Sequence, residues 1–591
     1  MQFPVPSRKR LLLLLLIFAV LWFGTLDYRT LIKSDEGRYA EIAREMTVTG
    51  DWVTPRYNSV KYFFKPPLQY WATAVAFSAF GEDEWTARLW VGLTSFLSVL
   101  MVFFGGRILF GARPALFGAI ALGSMMMPVF AGHFNTLDMG VGTFMNAAML
   151  ALLLAQRDEA TPAQERFWMM LCWAAMALAL LSKGLMGIVL PGAVLFCYLV
   201  WTRDFVRLKH LHIFKGTLVF FAISAPWFVL VMKANPEFYQ FFFIHEHFER
   251  FLTKVHARYG PPWYFVPFLL LGSMPWTLYL WSGLRQGFLK RAPLASPLAS
   301  LKGLPTSTSP GGLKAWRPKL LLMLWVVFIF VFFSASSSKL AGYIVPIFPA
   351  LAMLIGLALV ESSRLQWSLS LGLILLLSIL GFLASFWIPS MPEAALSKLA
   401  YQRYQYWVQA GLVALGTSAL LAYGLDFYRN PRRAASSAFS ETPTISVSAA
   451  VLVAFGAFVA TQTLMLGHEN LRDRGASSFS LAQAIIKSQS AQGPAQDYTL
   501  FLVDDFDHTL PFYLKKTALM VKDRDELDFG LKFSPDRYLP DMASFAQRWN
   551  ASPRAAAVMY RKTLPEVQAL GVAYEVVAQD TIRVAIVKPA R

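Results

Sequence analysis

Long apolar stretches recur between residues 11 and 467, and they limit the chain to one kind of fold. Each runs for roughly 16–23 residues, and about 20 helical residues, rising ~1.5 Å each, cross a hydrocarbon core of about 30 Å. In lipid a helix satisfies its own backbone hydrogen bonds, so these stretches read as transmembrane helices. Composition agrees: 56% of the 591 residues are AVILMFWYC, 15% are DEKR, and mean hydropathy is +0.46. A soluble domain has about 45–50% and about 25% of these classes. A soluble globular enzyme, a fibrous protein and a disordered chain are excluded, and a polytopic α-helical membrane protein is expected.

Charge sets the sidedness. The formal net charge is +18, and cytoplasmic loops of membrane proteins carry extra Lys and Arg; this explains the excess better than nucleic-acid binding. Spans are placed at about 11–26, 86–105, 114–131, 137–155, 167–182, 185–201, 216–233, 262–283, 318–333, 341–360, 366–388, 405–425 and 447–467, about thirteen in all. With the N-terminus inside, Arg107, Arg113, Arg157, Arg166, Arg203, Arg207, Lys209, Lys215, Arg285, Lys290, Arg364, Arg429, Arg432 and Arg433 all fall on the inner side. Counting Leu68–Phe80 as a further span would reverse every later loop and break this agreement. Arg8–Arg10 before Leu11–Phe23 resembles the start of a signal peptide, but no small-residue cleavage site follows, so a retained first helix is expected. Cys172 and Cys197 lie inside apolar stretches and suggest neither a disulfide framework nor a metal site.

The membrane domain is therefore assigned to 1–467 and an outward tail to 468–591. Residues 27–85 form the first outside loop. In it Tyr39, Ile42, Ala43 and Met46 recur at helical spacing, with Glu36, Arg38, Glu41, Arg44 and Glu45 elsewhere on the same turns. An amphipathic helix on the membrane surface is expected. A second is expected through Pro67–Phe80, where Pro66 and Pro67 suit a helix start. Residues 291–313 and 434–446 have linker composition. The tail alternates β-like runs, Tyr498–Val503, Ala518–Val521, Ala555–Tyr560 and Ile582–Val587, with helical patterns such as Ser478–Gln489, so a small α/β domain is expected.

This topology brings the polar residues beside the spans to one leaflet. Asp35, Glu36, Arg38, Tyr39, Tyr62 and Lys65 precede the second span. Asp138 opens the fourth, Lys183 sits in the turn between the fifth and sixth, and Lys339 and Tyr343 precede the tenth. His245-Glu-His-Phe-Glu-Arg250 lies between the seventh and eighth. Taken singly, each has an ordinary explanation: helix-dipole pairing for the carboxylates, snorkelling for Lys and Arg, an interfacial belt for Tyr. Gathered at one level they suit transfer from a lipid phosphate, with cations neutralising the leaving group and a carboxylate acting as base or orienting group. There is no G-x-x-x-x-G-K-[ST] loop and hence no sign of a nucleotide donor.

Ser34-Asp-Glu-Gly-Arg-Tyr-Ala-Glu-Ile-Ala-Arg-Glu-Met46, Gly50-Asp-Trp52 and Tyr62-Phe-Phe-Lys-Pro66 resemble the first periplasmic loop of bacterial aminoarabinose transferases. These are polyprenyl-phosphate-dependent glycosyltransferases related to protein O-mannosyltransferases. Leu137-Asp138, Ser182-Lys-Gly184, Glu246-His-Phe-Glu-Arg-Phe251, Gly272-Ser-Met-Pro-Trp276 and Lys339-Leu-Ala-Gly-Tyr343 extend the match in order, and Asp507-His-Thr-Leu-Pro-Phe-Tyr513 resembles the family's periplasmic domain. The resemblance implies a GT-C fold in a bacterial inner membrane, with a periplasmic site and periplasmic C-terminal domain. It implies inverting transfer of a sugar, aminoarabinose or a related one, from undecaprenyl phosphate to lipid A or another envelope acceptor. Carried over, Asp35 and Asp138 match the family's catalytic carboxylates, and Arg38, Tyr39, Tyr62, Lys65, Lys183, Arg250 and Tyr343 match positions around the carrier phosphate and its head group. Some relatives place an acidic metal ligand just before the Lys-Pro pair, partnered by a His matching His247; here that position is Phe64. The resemblance fixes no cofactor; a divalent metal ion is left open, with His247 as a weak candidate ligand. The rival functions are transfer to a Ser or Thr hydroxyl of a protein, transport of lipid-linked sugars, and non-catalytic envelope assembly; a transporter would carry midplane charges and repeated halves, which the sequence lacks.

Overall fold

The computed structural model describes residues 7–249, 260–288, 315–391, 398–428, 445–493 and 498–590. The linker expected at 291–313 lies outside them, as does that at 434–446 up to residue 444. The chain opens with helix α1 (Arg8–Gly24), followed by α2 (Asp35–Thr49), α3 (Leu68–Phe80), α4 (Glu84–Phe110), α5 (Ala112–Leu122) and α6 (Met126–Ala131). Next come α7 (Leu137–Ala155), α8 (Pro162–Lys183), α9 (Met186–Thr202) and α10 (Ile213–Ala234). Among the described residues nine helices are long and apolar enough to cross a membrane, ten if the bent pair Phe265–Gly272 and Thr277–Arg285 is one span. The other three expected spans fall on α1, on α5 with α6, and on α9. Local chemistry starts the helices where the chain must turn: Asp83 opens α4, and Thr161 with Pro162 opens α8, each by reciprocal side-chain and backbone hydrogen bonds.

Two of the expected spans are broken, and the breaks meet. Between α5 and α6, and again at Ser273–Trp276, the backbone leaves the helix. The Met126 amide donates to the Met274 carbonyl at 3.2 Å, and Trp276 donates its indole N–H to Ser124 Oγ at 2.9 Å. Irregular backbone at membrane depth is tolerated where protein buries and satisfies it. Small residues bring the helices close: a Cβ on Gly356 would lie 2.6 Å from the Gly118 amide nitrogen.

The polar contacts separate by end of the bundle. At one end Arg207 reaches Asp204 and the Gln156 side chain, the Trp316 amide donates to Asp158, and Glu165 meets both His210 and His212. At the other end lie α2, α3, the starts of α7 and α4, and the C-terminal domain. That division matches the sidedness drawn from Lys and Arg.

The C-terminal domain holds a six-stranded mixed sheet. Strands β1 (Arg56–Tyr57) and β2 (Val60–Lys61) form a hairpin in the first loop, and β3 (Thr499–Val503), β4 (Leu519–Val521), β5 (Tyr538–Leu539), β6 (Ala555–Tyr560), β7 (Glu575–Gln579) and β8 (Arg583–Val587) form the sheet. Its order is β5-β4-β3-β6-β8-β7, parallel from β5 to β6 and antiparallel thereafter. The four expected strands are β3, β4, β6 and β8; β5 and β7 are additional, and both lie at sheet edges.

Here the first loop departs from expectation. The stripe Tyr39, Ile42, Ala43 and Met46 does not lie on lipid. It is buried in one apolar cluster with Tyr70, Ala74 and Phe77 of α3 and with Leu500, Leu502, Met520 and Val558 of the sheet. The charged face is covered too: Glu36, Arg38, Glu41, Arg44 and Glu45 are all buried. Burial of so many charges requires partners. Glu41 pairs with Arg44 at 2.7 Å, and the Ser59 amide donates to Glu45 at 2.9 Å. The hairpin turns at Asn58 and Ser59, both at positive φ (55° and 65°), a type I′-like turn that suits Asn. Asn58 then exchanges two hydrogen bonds with the Ala518 backbone, at 3.0 and 2.7 Å, docking the loop on the domain.

Glu36 anchors this end. It is fully buried, ion-paired to Arg29 and, at 2.8 Å, to Arg88 of α4. It also accepts from the Ile32 and Asn135 amides, each at 3.0 Å. Burial alone would raise its pKa, but Arg29 and Arg88 outweigh burial and hold it at about 2. The ordinary value is 4.5 and the folded value is lower, so its stabilisation is complete above about 4.5 and disappears as pH falls towards 2. Glu36→Ala leaves two buried guanidinium groups uncompensated, and a loss of about 3–5 kcal/mol is expected, read as a lower melting temperature of the detergent-solubilised protein. Limited proteolysis of the first loop is expected to be equally slow at pH 5 and pH 7. An unchanged melting temperature, or a loop released at pH 5, would contradict the clamp.

Candidate active site at the outer end of the bundle

The candidate residues form two groups bridged by α3. The first group is built on the opening turn of α2. Asp35 and Arg38 are one helical turn apart, and Arg38 Nη1 lies 2.9 Å from Asp35. Asp35 stays one-third exposed while Arg38 is buried. The Arg38 guanidinium lies 5.8 Å from the Tyr39 ring centre. Tyr62, buried behind the hairpin, is 5.6 Å from Tyr57 and 4.8 Å from Phe64, ring to ring. Lys65 sits half-buried just before Pro66 and Pro67.

The second group joins three helix ends. Asp138, in the first turn of α7, is ion-paired to Lys183, the last residue of α8. The Lys183 ammonium lies 5.0 Å from the Tyr343 ring centre, which suits a cation–π contact. Gly342 explains the close fit: a Cβ there would lie 2.7 Å from Asp138 Oδ2. Residues 45 positions apart in sequence, or more, are thus fixed against each other by one ion pair and one ring.

Helix α3 connects the groups. Tyr70 lies 6.0 Å from Tyr39, ring to ring, and Gln69 donates to Asn135 Oδ1 at 2.7 Å, three residues before Asp138. Arg250 lies outside the described residues. His247 falls on the helical turns Gln240–Glu249, and its side chain is likewise outside them. Among the described residues no group of three His, Cys, Asp or Glu is arranged to hold a metal ion. Phe64 stacks edge-on with Phe241 at 5.0 Å, so aromatic packing occupies the position where some relatives carry an acid.

Glu526 and His508 of the C-terminal domain are the residues that sequence reasoning missed. Glu526 Oε1 lies 2.7 Å from Arg38 Nε, and Glu526 Oε2 accepts from the Tyr62 hydroxyl at 3.5 Å. His508 Nδ1 shares a hydrogen bond with the Tyr57 hydroxyl at 2.9 Å. Burial raises the Glu526 pKa, Arg38 lowers it and Asp525 raises it again, leaving it at about 7. Burial, then the charges of Arg38 and Lys33, push His508 well below the usual histidine range, so it is neutral. Asp507-His508 lay inside a quoted motif; Glu526 carried no sequence signal, since a lone acid in a polar turn reads as solvated.

Residues 485–588 match the family model "Aminoarabinose transferase C-terminal domain", and residues 64–229 match "Dolichyl-phosphate-mannose-protein mannosyltransferase". The crystal structure of ArnT from Cupriavidus metallidurans bound to undecaprenyl phosphate superposes with a TM-score of 0.86 at 37% identity, covering 99% of each chain. The chain belongs to the aminoarabinose transferase family. Its architecture is accordingly the GT-C fold, with a helical membrane part and a C-terminal α/β domain. An undecaprenyl phosphate-α-4-amino-4-deoxy-L-arabinose arabinosyl transferase of Proteus mirabilis is 32% identical over 60% of this chain and 60% of its own length. A Pseudomonas fluorescens protein of the same name is 31% identical over 60% and 61%. The matched stretch thus spans about three-fifths of these curated relatives.

The Gly342 contact is open to a direct test. Gly342→Ala is expected to cost about 1–3 kcal/mol by overpacking, and to cost less when Asp138 is already Ala, because the clash is with that carboxylate. Additive losses in this double-mutant cycle, measured by thermal unfolding, would contradict the contact.

Proposed function

We propose that this protein is an inverting glycosyltransferase of the bacterial inner membrane. It moves 4-amino-4-deoxy-L-arabinose from undecaprenyl phosphate to lipid A on the periplasmic face. The observation that carries this is the near full-length likeness, at 37% identity, to an ArnT that binds undecaprenyl phosphate. The one-ended cluster of Asp35, Arg38, Lys65, Asp138 and Lys183 supports it, because that cluster has the charge a lipid phosphate needs.

A lipid A phosphate oxygen attacks the anomeric carbon of the donor. The C1–O bond to the carrier breaks on the opposite face, and undecaprenyl phosphate leaves with one more negative charge. Arg38, Lys65 and Lys183, with Arg250, neutralise that charge as it develops. Asp138 holds the Lys183 ammonium at the outer rim, and Tyr343 supports it from one side. Tyr39 and Tyr62 shape the first-loop wall. Asp35 pairs with Arg38 and presents its exposed edge to the sugar or acceptor. The phosphate acceptor is already a nucleophile, so Asp35 orients rather than deprotonates. A metal ion at His247 is not needed for any of these steps.

Mass spectrometry of lipid A from cells with and without the gene tests the reading. Aminoarabinose is expected on lipid A only when the gene is present. Unchanged lipid A with a sugar lost from envelope proteins would favour hydroxyl glycosylation instead. In folded protein Asp35→Asn and Lys65→Ala are each expected to lower transfer by about 10²-fold or more, the scale for removing one group that stabilises developing charge. Full activity in either variant would refute the mechanism.

A further inference from the structure

We propose that Glu526 is a positioning residue for Arg38, so that the C-terminal domain completes the carrier-phosphate site instead of merely covering it. The role given to Arg38 rests on the transferase reading above; the contact itself does not.

Arg38 sits on the opening turn of α2 with a long, flexible side chain. Its pair with Asp35 is an i, i+3 contact on one helix, with Asp35 one-third exposed to solvent, a weak kind of pair. A pair that weak does not hold a guanidinium in one orientation. Glu526 supplies a second anchor from a different part of the chain. Its Oε1 lies 2.7 Å from Arg38 Nε, on the edge of the guanidinium that Asp35 does not reach. Neither Nε nor Oε1 makes an aligned hydrogen bond. The anchor is therefore an ion pair, which draws the Nε edge of the guanidinium towards the C-terminal domain.

The two sides of this contact are held by backbone as well as by side chains. Gly37 packs on the His508 carbonyl, where a Cβ would also lie 2.7 Å from the carbonyl carbon. Asn58 is hydrogen-bonded to Ala518 in both directions. Tyr57 joins His508, and Tyr62 donates to Glu526. Four contacts from three elements thus set the turn that carries Glu526 against the turn that carries Arg38. Glu526 does not itself suit a phosphate, because like charges repel. Its use is to fix the cation that does.

The test measures steady-state transfer from the undecaprenyl-phosphate donor, and binding of undecaprenyl phosphate, in purified full-length protein. Glu526→Ala is expected to raise the donor KM by at least about tenfold with kcat within about threefold, as for loss of binding geometry. Glu526→Asp keeps the carboxylate and is expected to recover part of the loss, whereas Glu526→Gln, which removes the charge, is expected to behave like Glu526→Ala. In an Arg38→Ala background the Glu526 substitutions are expected to change undecaprenyl phosphate binding no further, because Glu526 acts through Arg38. A wild-type KM in Glu526→Ala, a fall in kcat alone, or an undiminished effect in the Arg38→Ala background would overturn the proposal. If Glu526→Ala does not fold, the Glu526→Gln and Arg38→Ala cycle decides in the same way. Wild-type protein that transfers no sugar would refute the transferase reading instead, so the two failures are distinguishable.

Discussion

The outer end of this protein is organised around one buried carboxylate, Glu36. It holds Arg29 from the end of the first span, Arg88 from α4, and the amides of Ile32 and Asn135. A lone charge in that position would cost several kcal/mol of desolvation, and two guanidinium groups and two amide donors offset it. The geometry that results is longer in reach than the residue. Asp35 and Gly37 flank Glu36, and Arg38 follows one turn beyond Asp35, so anchoring Glu36 aims the whole opening turn of α2. Asn135 leads into α7, so the same anchor sets the start of the helix that carries Asp138.

From that anchor the site assembles in two halves of different physical character. Around Asp138 the partners are membrane-helix ends, and the fit is steric: Gly342 leaves just enough room for a carboxylate that holds Lys183. Around Asp35 the partners are a hairpin and a soluble-type domain, and the fit is electrostatic. Arg38 lies between two carboxylates, one of which sits near neutrality in its protonation. A cationic site is thereby kept charged and oriented while the surrounding charge stays close to balanced.

Much of this was legible in the residues, and the limit is instructive. Span positions followed from apolar run length, and sidedness from Lys and Arg, because lipid imposes both requirements locally. Helices α2 and α3 followed from period and proline placement. What a period cannot tell is what covers a helix. The stripe Tyr39, Ile42, Ala43 and Met46 reads identically whether it meets lipid or a β-sheet, and it meets the sheet. The charges Glu41, Arg44 and Glu45 read as solvated, yet tertiary pairing buries them. Asp138, Lys183 and Tyr343 could be gathered to one end from topology alone, but their contact depends on Gly342, whose role is visible only in three dimensions. Glu526 was invisible because its partner lies 488 positions away, on the other side of the membrane domain in sequence.

The most direct measurement is a reaction with purified components: this protein in detergent or nanodiscs, undecaprenyl-phosphate aminoarabinose as donor, lipid A as acceptor, and mass analysis of both lipids. The account predicts that lipid A gains one aminoarabinose residue while the carrier is recovered as undecaprenyl phosphate. Donor and acceptor both recovered unchanged, from protein shown to bind undecaprenyl phosphate, would contradict it.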